Sequence, residues 1–549
     1  MRKYPLNQVK YYSRFRDLIE DLGETYKDAP AVSWFTRKQE EKGVTYSRLR
    51  DDVRYLQESL IQRGLAGKHI AIVGENSYEW MLVYFAAVYC GSTAVTIDIE
   101  QPDETIHQML RMSDTDAIFS VASYVNICKG IGCEEIPMYL LSGKGDLPTV
   151  ENLIEEGKKI WQEGRQNTEI DSRVTPDLTA SIVFTSGTTN YSKPVMLSQE
   201  AILTNAADAL ALVCIGDKSF TNLPFYHTYG LTCSILSILI PGRHLYINGN
   251  LKTVSRDLQL ANTHTLVTVP LMLETIHNRL WLTAEENGKT ESLKKLFAVK
   301  KVLYNLGFRK CGKTLDAVRK KCLGGVELIV CGGAHMSREI MEEFRLMGVT
   351  VLQGYGITEC GPLVSVNRND ANKLESVGVV SPHCEVKIES GEILVRGKNL
   401  MKGYYNAPEL TEEAMADGWF CTGDMGEMDK DGYLYITGRK KNLIVFKNGK
   451  KVSPEKLEER IKKISLVQDV MVHGAASGSS TDDVQIAASI YPNKEKTEGM
   501  NPYEVLEQLQ AEINKINNEL PMYQQIQMVH VREQEFSKTA MHKIKRHLV

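Results

Sequence analysis

Apolar residues in the first 150 positions form short runs that alternate with longer segments of helical periodicity. Thr45 is suited to cap a helix that continues to Arg63, and Gly64 is suited to end that helix. Alternation of this kind predicts a mostly parallel α/β sheet. The next helix is expected at 79–89, and the strands at 69–73, 92–97, 116–120 and 136–141.

A second α/β series begins at Thr179. It predicts further strands that are separated by helices along the chain. The strands are expected at 182–185, 265–269, 327–331 and 350–354.

From 377 to 437 the pattern changes to short strands and turns. Asp431-Gly432 is a hairpin turn signal. After Gly438 an independent α+β pattern continues to the end of the sequence. The chain therefore predicts a β-rich subdomain after the two α/β series, and then an α+β region. The short strands are expected at 393–396, 419–422 and 433–436.

The segment 80–97 contains no charged residue and is nearly long enough to span a bilayer. Its sequence Cys90-Gly-Ser-Thr divides it into a helix-like half and a strand-like half, which predicts a buried helix followed by a core strand. A second apolar run, at 231–240, is too short to span a membrane. The charged N-terminus lacks the apolar core of a signal peptide. We therefore expect no transmembrane segment.

Composition limits the possible partners and the cellular compartment. The chain has 549 residues, of which 43% are hydrophobic, and a formal net charge of −4. Such a balance gives no indication of a nucleic-acid partner, which usually requires a basic domain. The eleven cysteines are scattered and form no C-x-x-C pair. Reduced thiols in a cytoplasmic protein fit this pattern better than disulfides or a metal cluster.

One polar loop between two apolar runs is suited to bind a polyphosphate, because it offers backbone N–H groups, four hydroxyls and an ammonium. It is not the common G-x-x-x-x-G-K-[ST] loop, since Pro194 follows the lysine and the next apolar residues suit a strand. A Ser/Thr-rich turn between strands is the alternative interpretation. The residues are Thr185, Ser186, Gly187, Thr188, Thr189 and Lys193.

A second polar segment follows the strand expected at 350–354. Tyr355 lies between two glycines, of which Gly356 allows a ligand to approach the backbone closely, and the tyrosine ring can stack on a flat base. Thr358 and Glu359 add a hydroxyl and a carboxylate that suit phosphate and Mg²⁺. The alternative is a tight loop with a buried tyrosine.

Three further segments give weaker signals: 331–334, 418–424 together with Arg439, and 536–546. Gly333 and Ala334 follow a strand, where glycine pairs are most often turns. Asp424 follows a Thr-Gly pair at the expected end of a hairpin, where its carboxylate can accept hydrogen bonds from a ribose diol; a turn aspartate is the alternative. Arg439 can reach phosphate or ribose, or lie at a domain surface. Near the C-terminus, 536–546 includes Lys543, which by itself suits a solvated charge.

In this order and spacing, the five segments resemble the adenylate-forming superfamily of acyl- and aryl-CoA synthetases, firefly luciferase and peptide-synthetase adenylation domains. The resemblance covers nearly the whole chain. It implies that 185–193 is the phosphate loop, that 354–359 binds adenine and magnesium, and that 422–424 with Arg439 binds ribose. The second lysine of the closing motif, Lys543, corresponds to the catalytic lysine.

Within the superfamily, 437–445 and 448–455 most resemble bacterial medium- and long-chain fatty acyl-CoA synthetases. The segment 223–230 resembles their acyl-pocket segment, with His227 at the gating position, and Lys441 matches the hinge by position. The resemblance implies an α/β fold with a large N-terminal domain, comprising two α/β subdomains and a β-rich subdomain, and a small mobile α+β lid. We place the boundary after Gly438, giving domains 1–438 and 439–549.

The implied reaction uses ATP and Mg²⁺ to join a fatty acid, or a related carboxylate, to coenzyme A. Glu359 holds Mg²⁺, Thr358 lies beside it, and Lys543 stabilises the charge that develops on the α-phosphate. Two alternatives remain open at this point. The acyl group is passed instead to the phosphopantetheine thiol of a carrier protein acting in trans, or the chain is a pseudoenzyme that only binds nucleotide.

The pseudoenzyme alternative depends on departures from the family pattern. The phosphate loop usually has glycine where this chain has Asn190, proline at Ser192 and glycine at Pro194, and the closing motif usually has glycine at His542. Proline fixes φ near −65° and removes an N–H donor. We therefore expect the second half of the loop to differ in shape. The hydroxyls and lysines are retained, so we expect an active enzyme.

Overall fold

The computed structural model describes residues 4–130, 133, 135–185, 192–446, 450–476, 484–538, 544 and 546. Within these ranges the strands form five sheets. The strands, numbered in chain order, are β1 Pro30–Phe35, β2 Glu41–Thr45, β3 His69–Val73, β4 Thr93–Thr96, β5 Ala117–Ser120, β6 Met138–Leu140, β7 Thr179–Thr185, β8 Lys193–Ser198, β9 Lys218–Thr221, β10 His244–Ile247, β11 Thr265–Thr268, β12 Leu328–Cys331, β13 Thr350–Gly356, β14 Leu363–Val366, β15 Val379–Val380, β16 Cys384–Glu389, β17 Glu392–Gly397, β18 Gly403–Tyr404, β19 Met415–Ala416, β20 Trp419–Met428, β21 Leu434–Arg439, β22 Ile444–Val445, β23 Lys451–Val452, β24 Val467–Ala476, β25 Val484–Pro492 and β26 Met528–Val531.

Helices connect most of the parallel strands, as the alternating pattern predicts. Single-turn 3₁₀ segments are left unnumbered, and the segment Tyr229–Leu236 is a π-helix. The α-helices are α1 Phe15–Thr25, α2 Tyr46–Gln62, α3 Tyr78–Tyr89, α4 Asp103–Met112, α5 Val125–Cys128, α6 Val150–Gln162, α7 Ile170–Arg173, α8 Gln199–Leu212, α9 Ser237–Leu239, α10 Val254–Ala261, α11 Pro270–Glu286, α12 Thr290–Asn305, α13 Lys313–Leu323, α14 Arg338–Leu346, α15 Pro408–Glu413, α16 Pro454–Ile461 and α17 Pro502–Asn518.

The first large sheet has seven strands in the order β18-β8-β7-β4-β3-β5-β6. Strands β3 to β6 pair in parallel, and β7 is parallel to β4. Strand β8 is antiparallel to β7, so the polar loop between them is the connection of a hairpin. All four strands expected between residues 69 and 141 are confirmed, and Thr45 caps α2 through a hydrogen bond from the Arg48 N–H.

The second large sheet has nine strands in the order β15-β14-β13-β12-β11-β9-β10-β1-β2. Its centre is parallel, from β13 through β1, and antiparallel strands lie at both edges. The strands expected at 265–269, 327–331 and 350–354 are confirmed at β11, β12 and β13. Ligands commonly bind beyond the carboxyl ends of such parallel strands, which is where the polar segments after β12 and β13 begin.

The β-rich subdomain is an antiparallel sheet of five strands, β16, β17, β19, β20 and β21. Strands β20 and β21 form the hairpin that Asp431-Gly432 predicts. The expected end of a strand at 422 is wrong, because β20 continues to Met428. Gly423 has a φ of +68°, and the pairing of β20 with β17 is irregular at this point. The glycine therefore bends a continuous strand and does not end it.

The C-terminal α+β domain has its own core. Strands β24, β25 and β26 form a sheet, with β24 antiparallel and β26 parallel to β25, and α16 and α17 pack on it. The core residues of this domain cluster separately from those of the large N-terminal domain. Arg439 and Lys440, at the connection between the domains, pair with Asp424 and Glu392 of the larger domain. Among the described residues beyond this connection, two further ion pairs cross to the larger domain: Lys463 with Glu339 at 2.6 Å, and Glu459 with His335 at 3.5 Å. The predicted division into a large N-terminal and a small C-terminal domain is thus confirmed, whereas its boundary at 438 stays a prediction.

The charge-free run at 80–97 forms a helix followed by a strand, as its sequence predicts. Most of α3 and all of β4 are buried in the first sheet's core. In the described part of the chain, none of the helices has the length and apolar composition required to cross a membrane. All eleven cysteines lie in that part, and each is a free thiol.

Candidate active site

A cleft of about 1950 Å³ lies between the carboxyl ends of the second sheet, the β-rich subdomain and the C-terminal domain. Large clefts between domains are common ligand sites. The cleft brings together every sequence-predicted site residue that the structure describes, whereas Ser186, Gly187, Thr188, Thr189 and Lys543 lie outside the described residues. The residues brought together are Thr185, Lys193, His227, Gly333, Ala334, Tyr355, Gly356, Thr358, Glu359, Asp424, Arg439 and Lys441.

Asp424 is the centre of a closed polar cluster at one end of the cleft. Strand pairing places it directly opposite Arg439, and its two oxygens bind the Arg439 Nε at 2.6 Å and the Tyr355 hydroxyl at 2.7 Å. The carboxylate is buried. Burial and then the charge of Asp424 raise the pKa of Tyr355 well above its usual range, so the hydroxyl remains a donor. We call these three residues the carboxylate cluster.

Residues behind the carboxylate cluster fix its position. The Thr422 hydroxyl accepts a hydrogen bond from the Asp424 N–H at 3.0 Å and donates to the Ile393 carbonyl at 2.7 Å. Glu392 accepts from the Gly423 N–H at 3.1 Å and pairs with Lys440 at 2.5 Å. The bend in β20 is thus held on both sides, which keeps Asp424 directed into the cleft.

Small residues line the cleft at 332–334, after β12, and at Gly356. Gly333 follows β12 with a φ of +87°, a conformation that other residues rarely adopt. A Cβ on Gly356 would clash with the Pro362 carbonyl oxygen, and one on Gly332 would lie 3.2 Å from the Tyr229 ring. Ala334, next to Gly333, is exposed to the cleft. The surface beside Tyr355 is therefore kept free of large side chains.

A second polar cluster in the cleft contains a lysine, a tyrosine and a glutamate. Thr185 and Lys193 are the last paired residues before the polar loop that connects β7 and β8. The Lys193 ammonium lies 4.9 Å from the centre of the Tyr404 ring, and the Tyr404 hydroxyl donates to Glu359 Oε1 at 3.0 Å. Burial and then Glu359 raise the pKa of the Tyr404 hydroxyl. We call Lys193, Tyr404 and Glu359 the lysine cluster.

Glu359 has the chemistry of a magnesium ligand. Its backbone is fixed in the turn Thr358–Cys360, and its carbonyl accepts from the Met401 N–H at 2.8 Å. Oε1 is bound by Tyr404, and among the described residues no donor binds Oε2. Mg²⁺ in nucleotide sites is commonly held by one or two carboxylates together with substrate phosphates. One carboxylate beside Thr358 and Lys193 fits that ligand set.

The turn Lys440–Asn442 connects the β-rich subdomain to the C-terminal domain. Lys440 is held by Glu392, which raises its pKa. Lys441 faces the cleft; although its side chain is exposed, contact with the cleft wall and then the nearby Arg439 and Lys193 lower its pKa to about 8. Neighbouring lysines in the same turn thus have opposite pKa shifts.

A largely apolar region of the cleft lies beside the 223–230 segment. Asn76 holds the first part of this segment, donating to the Leu223 carbonyl at 2.7 Å and accepting from the Phe225 N–H at 2.9 Å. The His227 ring lies 4.8 Å from the Tyr226 ring, centre to centre. The apolar wall is formed by α8, the π-helix, β11, the start of α11 and β12, through Ala209, Leu210, Val213, Cys233, Val267, Val269, Pro270, Leu271 and Val330.

Pro194 and Ser192 are the two loop departures that the structure describes. Pro194 lies within β8, opposite Phe184, and its carbonyl accepts a hydrogen bond from the Tyr405 N–H at 2.8 Å. Its fixed φ is compatible with an extended strand, so it continues the regular hairpin strand. Ser192 precedes that strand. Asn190 and His542 lie outside the described residues.

The closing motif is described only at its two ends. Lys538 forms an ion pair with Asp469 at 2.7 Å and an antiparallel bridge with Ile544, and all three residues line the cleft. Arg546 makes two hydrogen bonds to the Glu458 carboxylate, at 2.6 and 2.5 Å. Burial raises the pKa of Glu458, which Arg546 counteracts. This motif therefore contacts the cleft from the C-terminal domain.

Sequence reasoning missed three residues that position the others: Tyr404, Glu392 and Asn76. Tyr404 follows Lys402-Gly403 in a segment with no recognised motif, and β18 brings it to Lys193 from more than 200 positions away. Glu392 resembles any strand carboxylate in sequence. Only Asn76 had a local signal, because it follows directly after a buried strand where polar residues often contact ligands or loops.

The comparisons with known proteins agree with this geometry. Residues 19–405 match the profile of AMP-binding enzymes, and residues 441–549 match the AMP-binding enzyme C-terminal domain. The long-chain-fatty-acid–CoA ligase of Salmonella typhimurium is 28% identical over 541 residues, covering 88% of each chain. Long-chain-fatty-acid–CoA ligase FadD15 of Mycobacterium bovis is 27% identical, covering 79% of this chain and 75% of that protein.

A solved structure shows the same fold. The anthranilate CoA ligase AuaEII in complex with anthranoyl-AMP superimposes with a TM-score of 0.78, at 17% identity, covering 98% of this chain and 96% of that chain. The expected assignment to the adenylate-forming superfamily is confirmed, because the matched profiles cover most of the sequence. The chain belongs to the AMP-binding enzyme family.

Proposed function

We propose that this protein is an AMP-forming acid–thiol ligase that activates a medium- or long-chain fatty acid and transfers it to coenzyme A. The observation that carries this proposal is the joining, in one cleft, of the carboxylate cluster, the lysine cluster and an apolar wall. Each part suits one portion of an acyl-adenylate: the ribose, the phosphates and the acyl chain.

The carboxylate cluster suits a ribose diol. Asp424 offers a carboxylate that Arg439 and Tyr355 hold in position, and carboxylate oxygens accept hydrogen bonds from hydroxyls. Gly333, Ala334 and Gly356 leave room beside Tyr355 for a flat base. This arrangement supports nucleoside binding with the base next to β12 and β13.

The lysine cluster suits the phosphates. Thr185 and Lys193 bracket the polar loop, and Glu359 offers a carboxylate for the metal. Bound Mg²⁺ would neutralise charge on the phosphate oxygens. Lys193 adds a fixed positive charge on the same side, and Tyr404 orients Glu359 by its hydrogen bond. The hydroxyls of 186–189 complete the loop in this proposal.

The first step forms the acyl-adenylate. A substrate carboxylate oxygen attacks the α-phosphorus of ATP, the bond from that phosphorus to the bridging oxygen breaks, and pyrophosphate leaves. Negative charge builds up on the α-phosphate oxygens in the transition state, and Lys543 offsets it. The acyl carbon becomes reactive because AMP is a far better leaving group than the oxide of a free carboxylate.

The second step forms the thioester. The thiolate of coenzyme A attacks the acyl carbon, the bond to the phosphate oxygen breaks, and AMP leaves. Two chemistries in one cleft require one set of side chains to replace another, which domain rotation can achieve. The short turn at Lys440–Asn442 supports Lys441 as the pivot. Among the described residues beyond this turn, two ion pairs join the C-terminal domain to the larger one.

The apolar wall supports an aliphatic acid as the substrate. Its side chains come from five different elements, and α8 contributes Ala209, a small residue facing the cleft. Burial of a fatty acyl chain against such a wall stabilises the bound substrate by about 0.8 kcal/mol per CH₂.

The test is carboxylate-dependent exchange of labelled pyrophosphate into ATP, with fatty acids of graded length and with benzoate-type acids. We expect exchange with medium- or long-chain acids, and Lys543→Ala to abolish it while ATP still binds. Lys515→Ala is the matched control, because Lys515 is an exposed lysine of the same domain. The absence of exchange with every acid would exclude the enzyme assignment and favour the nucleotide-binding pseudoenzyme.

A second measurement addresses the substrate and the acceptor. Ala209→Trp should shift the preferred acid to a shorter chain, whereas Ala511→Trp, on the exposed face of α17, should not. Thioester formation is then compared with coenzyme A and with a phosphopantetheinylated carrier protein. Faster transfer to the carrier protein would mean that the carrier, and not coenzyme A, is the acceptor. A preference for aryl acids would mean that the substrate is not a fatty acid.

A further inference from the structure

The segment 289–321, comprising α12, α13 and the loop between them, has a charge unlike the rest of the chain. It carries eleven Lys or Arg residues and two acidic residues, a net charge of +9, in a protein whose total is −4. We call it the basic segment. Its basic residues are Lys289, Lys294, Lys295, Lys300, Lys301, Arg309, Lys310, Lys313, Arg319, Lys320 and Lys321.

The same segment exposes a group of large apolar side chains. Val299 and Val302 are 59% and 60% exposed, and Leu306 and Phe308 are 69% and 66% exposed. Positions 299, 302 and 306 lie on one helical face, since they are three and seven residues apart. Contiguous exposed apolar surface rimmed by polar residues is typical of an interaction site, whereas single exposed apolar residues are ordinary.

The apolar tip is held in place by the fold. Lys300 is buried, and its ammonium donates to the carbonyls of Phe308 and Lys310, each at 2.7 Å. The loop that follows α12 is therefore fastened back to the helix. Leu306 and Phe308 remain directed outward as part of an ordered surface.

Several positive charges around this tip are not neutralised within the protein. Lys294 pairs with Glu291, and Lys301 pairs with Glu342. Lys295, Lys310 and Lys313 are exposed, and no ion pair with another described residue satisfies them. These ammonium groups are available to an external anionic partner.

The basic segment lies behind the wall of the acyl region. Leu293 and Phe297 of α12 pack in one core with Leu273 and Ile276 of α11. The first turn of α11, including Leu271, lines the cleft. One helix thus contacts both the cleft and the helix that carries the exposed apolar face.

We propose that the basic segment docks on an anionic lipid surface, with Val299, Val302, Leu306 and Phe308 entering the headgroup region. An apolar face flanked by lysines is the pattern of interfacial helices, and each Lys or Arg near an anionic bilayer contributes about 1 kcal/mol, or roughly fivefold in partition. The four exposed apolar residues favour lipid over nucleic acid, whose contacts would require mainly the cations, and an acidic protein partner is distinguished from lipid by the test below. Docking is independent of the ligase activity.

The test is sedimentation of the purified protein, without ATP or acid, with vesicles of phosphatidylcholine alone or with 30% phosphatidylglycerol. We expect binding to the anionic vesicles, weak binding to neutral ones, and release by 0.5 M NaCl. Leu306→Ser with Phe308→Ser, and separately Lys295→Glu with Lys310→Glu, should each weaken partition about tenfold or more. The control, Tyr503→Ser with Lys496→Glu on the C-terminal domain, should bind like the unmodified protein.

A second measurement reports contact directly. Phe308→Trp should shift its fluorescence to shorter wavelength on anionic vesicles, and Tyr503→Trp should not. Failure to bind anionic vesicles, equal binding by all variants, or equal binding to neutral vesicles would overturn the proposal. The proposal would also be overturned if a short DNA duplex or an acidic carrier protein bound through these residues and vesicles did not. None of these outcomes depends on pyrophosphate exchange, so the proposed ligase function is judged separately.

Discussion

The two polar ends of the cleft are built in opposite ways. In the carboxylate cluster, Asp424 is buried and bound by both Arg439 and Tyr355, so the charges are balanced before any ligand arrives. In the lysine cluster, Lys193 faces a tyrosine ring, and Glu359 keeps one carboxylate oxygen without a donor among the described residues. Among the described residues, an ion pair joins the charged groups of the carboxylate cluster, whereas none joins Lys193 and Glu359 in the lysine cluster.

This difference separates binding from chemistry. A completed cluster gives a fixed geometry and low reorganisation, which suits recognition of a part of the substrate that does not change. An end with incomplete charge balance suits phosphates and a metal ion, which arrive with the substrate and leave with pyrophosphate. We therefore expect changes at the carboxylate cluster to affect mainly KM for ATP, and changes at the lysine cluster to affect mainly kcat.

The largest effect is expected from Glu359→Gln. The substitution keeps the side-chain size but removes the carboxylate charge proposed to hold Mg²⁺. Loss of one electrostatic group at a reaction centre commonly costs about 10²–10³ in rate, and pyrophosphate exchange should fall by that factor. Glu413→Gln is the matched control, because this exposed carboxylate lines the same cleft and, among the described residues, has no hydrogen bond or ion pair with Lys193 or Tyr404. Equal loss in both variants would contradict the assignment.

Asp424→Asn should have the next largest effect, and this effect should be on KM for ATP more than on kcat. It leaves Arg439 without its carboxylate, and Arg439 is 41% exposed, so solvent offsets part of the loss. We expect KM for ATP to rise about 10- to 50-fold, corresponding to roughly 1.4–2.3 kcal/mol, with a smaller change in kcat. Asp429→Asn, in the same hairpin and paired with Lys373, should leave KM unchanged. A fall in kcat alone would remove the proposed contrast between the two ends.

Tyr404→Phe should give a smaller effect at the lysine cluster. The substitution removes the hydrogen bond to Glu359 and keeps the ring beside Lys193. Hydrogen bonds to charged groups contribute about 1.5–3 kcal/mol. Glu359 is partly exposed, which reduces this contribution, so we expect about a 3- to 10-fold loss of kcat. The Mg²⁺ concentration for half-maximal exchange should rise. Tyr405→Phe is the control, since its hydroxyl binds Asp114 at the surface. An unchanged Mg²⁺ dependence would contradict a positioning role.

The carboxylate cluster was the easier end to predict from sequence. Asp424 lies seven residues before Asp431 and Arg439 seven residues after Gly432, so a simple hairpin count places them opposite each other. The observed hairpin pairs the same two residues, but its register is not regular, because it shifts between Met425 and Gly426. Local strand geometry was sufficient here, although the bend at Gly423 was mistaken for the end of a strand.

The lysine cluster could not be assembled in the same way. Tyr404 reaches Lys193 and Glu359 through the pairing of β18 with β8, which joins segments far apart in the chain. A two-residue strand has no hydrophobic pattern that could reveal its partner. Motif recognition found Lys193 and Glu359 separately, and only the tertiary structure connects them. Periodicity alone predicted successive α/β, β-rich and α+β regions, but it did not predict that β7 belongs to the first large sheet or that β1 and β2 belong to the second.

The smallest effect concerns Lys441, whose folded-state pKa of about 8 lies below its unfolded value. The protonated lysine therefore opposes folding below about pH 8, and this cost disappears as the pH rises from 8 towards 10.5. Competitive acylation followed by mass spectrometry should show Lys441 becoming reactive near pH 8, whereas Lys440, whose pKa is raised by Glu392, reacts at higher pH. Mg·ATP should shift the Lys441 midpoint upward, because phosphates supply the missing counter-charge. A Lys441 midpoint equal to that of Lys440, or unaffected by ATP, would mean that the lysine end of the cleft is already balanced without substrate.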